Sequence, residues 1–202
     1  MFSLPATTEI KKALPKKAIY EKFALKAAQR DAFDADISRI DIVNVVSSNT
    51  VPGLKEGEQI KEFYVLQVKL KREKFDPKNI LLLTKLIKQN MVFALTFGLK
   101  VRFAIVHQKL FVGDWVPLEE AALLLVGMDL EQAWAKIVKS IGGFEVMDGV
   151  TVEEQISLDI ERQKRIKQIE NLEKKLKTEK QPIKRYDLFK EIQELKLSIK
   201  QV

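Results

Sequence analysis

EFYVLQVKLKREKFDPKNILLLTKLIKQNMVFAL, Glu62 to Leu95, decides the fold. Ile60, Tyr64, Leu66, Val68 and Leu70 fall on one face of an extended chain. Gln67, Lys69 and Lys71 alternate with them, which predicts an antiparallel strand with one wetter face. Asp76 then supplies an N-cap and Pro77 a first-turn proline. The helix they open is predicted to reach about Gln89, burying Ile80, Leu83, Leu86 and Ile87. A second strand starts at Val92.

Upstream, β-branched residues at Ile40, Ile42, Val43, Val45 and Val46 predict a strand over Ser38–Val46. Pro52, Gly53 and Gly57 place a hairpin loop over 49–58. A helix is expected from Lys16 to about Phe33, with Ile19, Phe23, Ala27 and Ala28 as its buried stripe. Downstream, Gly98 and the His107–Gln108 pair separate strands at Val92–Thr96, Leu99–Val106 and Lys109–Val112. The chain is expected to turn helical from Pro117, with the clearest helix at Met128–Ile141, where Leu130, Trp134, Ile137 and Val138 point inward. These elements define an α+β body, residues 1–148, with a mixed or antiparallel sheet and helices on one face.

Residues 149–202 read differently. From Thr151 the chain is highly charged and free of glycine, and Pro182 breaks it once. Two antiparallel helices are expected, a hairpin arm. Ile166, Ile169, Leu172 and Leu176 form the first stripe; Tyr186, Phe189, Ile192, Leu195 and Ile199 form the second. The first helix, about 29 residues, outruns the return helix of about 19 by roughly 15 Å. Its start, with Ile156 and Ile160, therefore lacks a partner within the arm.

Composition narrows the function. In 202 residues, 46% hydrophobic and 31% charged, there is no cysteine, which excludes disulfides and thiolate chemistry. No apolar run is long enough to span a bilayer and the N-terminus has no signal-peptide pattern, so a cytoplasmic protein is expected. The net charge of +7 is mild and dispersed. Lys11, Lys12, Lys16 and Lys17 make the best candidate patch for a weak DNA contact. The glycines form no phosphate loop, and His107, the only histidine, has no triad partner in the pattern.

One catalytic constellation is permitted by spacing. A metal-dependent nuclease of the restriction type needs an Asp on one strand and Glu-or-Gln-x-Lys on the next, where acids hold magnesium and the lysine steadies charge. Asp41, Gln67 and Lys69 meet that pattern, although glutamine is a poor magnesium ligand and the strand order that follows departs from that fold. Only this alternative calls for a cofactor, magnesium.

Several segments together resemble a known family. They are LP…EI-KK…PK over Leu4–Lys16, FYVLQVKLK–DP–ILLLTKLI–NMVF within 62–94, VRFAIVHQK at Val101–Lys109, EKQ at Glu179–Gln181, and Lys184–Glu194. In this order they resemble a prokaryotic domain of unknown function, number 4391, across nearly the whole chain. The resemblance implies an α+β body with a C-terminal helical hairpin, and a gene setting beside helicases and DNA methyltransferases of restriction and phage-defence type. It supplies no catalytic residues, and His107–Gln108 stands where the family often has an aromatic–lysine pair. The expectation is a non-enzymatic adaptor. Its partner, or a second copy of itself, would be bound through Ile156, Ile160, Ile166, Ile169, Leu172, Leu176, Tyr186, Phe189 and Ile192. The nuclease is the alternative.

Overall fold

The computed structural model describes residues 1–85, 89–143, 152–179 and 181–200, without the side chains at 152, 153, 155, 156, 159, 163 and 198–200. The expected helix ends at Leu86 and Ile87, and the side chains of Ile156 and Ile199, lie outside the described residues. The chain divides into two compact units near residue 145.

The body runs β1 (Glu9–Ala13), α1 (Lys16–Lys22), α2 (Ala27–Asp36), β2 (Ile37–Ser47), β3 (Glu62–Leu70), α3 (Pro77–Thr84), β4 (Asn90–Phe97), β5 (Lys100–His107), β6 (Lys109–Val112), β7 (Val116–Pro117) and α4 (Leu130–Gly142). The fold is α+β. The seven strands form one mixed sheet in the order β1-β2-β3-β4-β5-β6, with β7 pairing β5. Only β3 and β4 are parallel, and α3 is the crossover between them.

Sharing two neighbours and covered on both faces, β3 has no wetter side along most of its length. Phe63, Val65 and Gln67 are as buried as Leu66 and Val68, and only Lys69 is exposed. The alternation that suggested a half-wet strand came from two polar residues near its C-terminal end. The expected helices on one face are α1, α2 and α3, whose Ile19, Phe33, Ile80 and Leu83 pack with Leu66, Val68, Phe93 and Leu95. The opposite face is covered by α4, where Trp134 meets Phe63 with ring centroids 5.3 Å apart, and by the N-terminal Phe2, edge-on to Phe103. Gly143, at φ 66°, ends α4 in the left-handed conformation that glycine adopts without strain.

Two expectations are corrected. The single helix over Lys16–Phe33 is two helices, because Ala24 takes φ 45° and Leu25 N–H turns back to the Tyr20 carbonyl. Ala27 and Ala28 are consequently exposed. No glycine or proline marks this break, so periodicity alone runs through it. Between Pro117 and Leu130 the chain is irregular rather than helical, and β7 occupies its start.

The junction of α2 and β2 is fixed by Asp36, whose side chain is fully buried. Its carboxylate accepts from Asp76 N–H and Asn79 Nδ2, both at 2.7 Å, and from Arg72 Nε. Asp76 in turn caps α3 through Lys78 N–H at 2.9 Å. Asp36→Ala leaves buried N–H donors without acceptors and should lower unfolding free energy by about 2–4 kcal/mol, read from urea denaturation. A loss under about 0.5 kcal/mol, the range of an ordinary surface change, would show that this junction does not hold α3.

Candidate functional site

The arm consists of α5 (Val152–Thr178) and α6 (Pro182–Lys200). Pro182 is the first residue of α6, where its missing N–H costs nothing. The helices meet through Ile169, Leu172 and Ile192, all buried, with Leu176, Leu188 and Leu195 packed around them. Lys196 Nζ donates to Glu173 Oε1 across the hairpin at 2.8 Å, so Glu173 faces the other helix. The Glu161–Arg165 pair forms at 3.7 Å.

On α5 Ile169, Leu172 and Leu176 pack inward as expected; on α6 Ile192 and Leu195 do so, with Leu188 in place of Tyr186 and Phe189. Tyr186 and Phe189 are 69% and 51% exposed, and the inward stripe is Leu188, Ile192 and Leu195. Ile183 and Leu197 are also exposed, at 78% and 61%. At 100° per residue, Ile183, Tyr186, Phe189 and Leu197 gather on the side of α6 opposite the inward stripe. Sequence reasoning had missed Ile183 and Leu197 as members of this second face. Ile160 and Ile166 are half-buried. By length, the first residues of α5 extend past the end of α6.

In the body, the residues of the nuclease pattern do come together. Asp41 and Gln67 are direct partners across the β2–β3 ladder, and Arg39 is the partner of Lys69. All four share one sheet face, the face that also carries Phe63 and Val65. Asp41 and Gln67 are each 8% exposed, and Lys69 is exposed. Arg39 Nε donates to both Asp41 oxygens, at 2.9 and 2.7 Å. The side chains of Gln67 and Lys69 make no hydrogen bond or ion pair among the described residues. The sequence pattern contained Arg39, two residues before Asp41, but the nuclease template gives it no role. Among the described residues, no three or more His, Asp or Glu side chains gather to hold a metal ion.

The N-terminal lysines divide. Lys11 and Lys12 are exposed on edge strand β1, which a run of charge protects from further pairing. Lys17 lies 3.8 Å from Glu21 on α1. Lys16 is engaged structurally, by Asp34 and by the Ile37 carbonyl at 2.8 Å. Tyr20 O–H also donates to Asp34, at 2.6 Å. These bonds, that from Lys16 first, hold the Asp34 carboxyl below its ordinary range, while burial and then the bond to Asp34 push the Tyr20 phenol well above its own.

Two predictions follow from these contacts. A depressed folded-state pKa makes Asp34 stabilising above the unfolded carboxylate pKa of about 4, and that contribution disappears as pH falls below it. Asp34→Asn should therefore flatten the acid side of a melting-temperature profile below about pH 4; an unchanged acid limb would mean that Lys16 and Tyr20 bind Asp34 too weakly to matter. In the arm, Leu172→Ala should cost about 2–4 kcal/mol, whereas Tyr186→Ala should stay within about 0.5 kcal/mol. Far-UV circular dichroism melts read both, and equal costs would contradict the inward and outward assignments.

The model of one family, described as Domain of unknown function (DUF4391), matches residues 2–199, nearly the whole chain. No curated protein and no solved structure matches.

Proposed function

We propose, for a chain that belongs to the DUF4391 family, a non-enzymatic role in the cytoplasm: an accessory or adaptor protein that engages a protein partner through its helical arm. The observation that carries this reading is the second apolar face of α6, Ile183, Tyr186, Phe189 and Leu197. A two-helix hairpin needs one stripe per helix, and that need is met by Leu188, Ile192 and Leu195. Two aromatic and two aliphatic side chains remain outside it. Aromatic anchors in a row at helical spacing suit a partner's groove, where each buries a large area at small entropic cost. The partner class we infer is a helicase or DNA methyltransferase of a restriction-like defence system, on the gene setting that the family resemblance implies. Lys11 and Lys12 would add a weak contact to DNA.

The test is capture of co-expressed gene neighbours by the tagged full-length chain. The double variant Tyr186→Ala, Phe189→Ala should lose capture by tenfold or more, about 1.4 kcal/mol or above, with its melting temperature kept. Full capture by that variant would remove the arm from the reading.

A second reading, a divergent metal-dependent nuclease on Asp41, Gln67 and Lys69, is favoured by one observation: the ladder places Asp41 opposite Gln67 with Lys69 on the same face. The fit for magnesium is poor, since Arg39 holds both oxygens of the one carboxylate and Gln67 is neutral. Magnesium- or manganese-dependent DNA cleavage abolished by Asp41→Ala and by Lys69→Ala would establish it over the adaptor-only reading. No cleavage with either metal would dismiss it.

A further inference from the structure

We propose that the end of the β2–β3 face is an anion site for the phosphates of a nucleic-acid backbone, held by Arg39, Lys69 and Gln67. This stands apart from the adaptor reading, which concerns the arm, and requires no metal.

Arg39 and Lys69 are direct cross-strand partners. Like charges in that position repel, at a cost of a few tenths to about 1 kcal/mol. A single carboxylate, Asp41, offsets them, so the trio keeps a net positive charge. Asp41 takes the Nε–H of Arg39 and thereby fixes the guanidinium plane, leaving its terminal N–H groups without a partner among the described residues. The Arg39 side chain is 61% exposed, which leaves those groups open to a ligand. A guanidinium held this way presents the fork geometry that phosphate accepts. Lys69 supplies a second cation opposite it.

Gln67 adds a neutral donor beside the two cations. Only 8% exposed, it has no hydrogen-bond partner among the described residues, although its amide carries two donors. On either side of the Asp41–Gln67 pair the sheet carries alanine: Ala13 opposite Asp41 on β1, and Ala94 beside Gln67 on β4. Ala13 is exposed and Ala94 is fully buried, so the row opens toward β1. Exposed Lys11 on β1, two residues from Ala13, extends the cations to a third strand. Strands lie about 4.8 Å apart, so the charge is spread over several sites, which suits a repeating anion better than a single phosphate ion.

The test is fluorescence anisotropy of the full-length protein with a labelled DNA duplex, in EDTA and about 50 mM salt, so that metal-dependent cleavage cannot contribute. Binding should weaken with salt, and Arg39→Gln and Lys69→Gln should each weaken it about tenfold while lowering the salt slope by about one. Lys69→Arg should retain it, and Lys78→Gln, on α3 over the other face of the sheet, should leave it unchanged as a control for loss of charge elsewhere. Inorganic phosphate should compete more strongly than chloride at matched ionic strength. The proposal is overturned if the duplex does not bind, if Lys78→Gln is as damaging as Lys69→Gln, or if inorganic phosphate competes no better than chloride. Adaptor function can fail or succeed in its own assay without altering any of these results.

Discussion

A buried carboxylate holds this body together. Asp36 ends α2, begins the turn into β2, and reaches across to the start of α3. The crossover between parallel strands β3 and β4 depends on α3 being held against the sheet, and the first turn of α3 is where its N–H groups are unsatisfied. Asp36 and Asp76 answer those donors from two directions, one across the fold and one locally. With α3 fixed, Ile80 and Leu83 complete the core over β3 and β4, and β3 becomes a strand buried on both faces. A negative group at a helix N-terminus is also favoured by the helix dipole.

The other end of the sheet is held by a different carboxylate. Glu131, in the first turn of α4, accepts from Gln59 and Ile60 N–H at 2.9 and 3.1 Å. A Cβ on Gly57 would stand 2.8 Å from the Glu131 backbone nitrogen, so the loop passes α4 at a distance only glycine permits. The sequence marked Gly57 as a turn residue; its actual reason is this close approach, between residues far apart in the chain. The Asp76–Pro77 cap, by contrast, was legible because both signals are local. Strand β1 was missed because an edge strand carrying Lys11 and Lys12 has neither alternation nor β-branched enrichment beyond Ile10.

The arm shows why periodicity was sufficient for one helix and not the other. α5 has one apolar stripe, so its inward face was readable. α6 has apolar residues on two sides, and a period of 3.6 fits both. Spacing puts Tyr186 and Phe189 in line with Ile192 and Leu195, where Leu188 packs instead. Packing chose otherwise: two helices 8–10 Å apart accommodate leucine and isoleucine more readily than opposed aromatic rings. The aromatics are left where bulk is unconstrained, which is also where a partner can reach them.

Asp41 was legible as a candidate, while its chemistry was not, because that depends on Arg39. A floor of two carboxylates would be net negative and would repel phosphate until a divalent cation entered. Here the second position is Gln67, and the one carboxylate already has a guanidinium on both oxygens. Replacing Glu by Gln at this site removes a full charge, worth about 4 kcal/mol at 4 Å in the surface dielectric of a protein. That is enough to reverse which ion the floor attracts. With Arg39 and Lys69 across from one another, the sum is positive, and phosphate can approach directly. The same strand geometry that a metal nuclease requires thus serves anion binding once a single acid is neutral and an arginine stands two residues from the other.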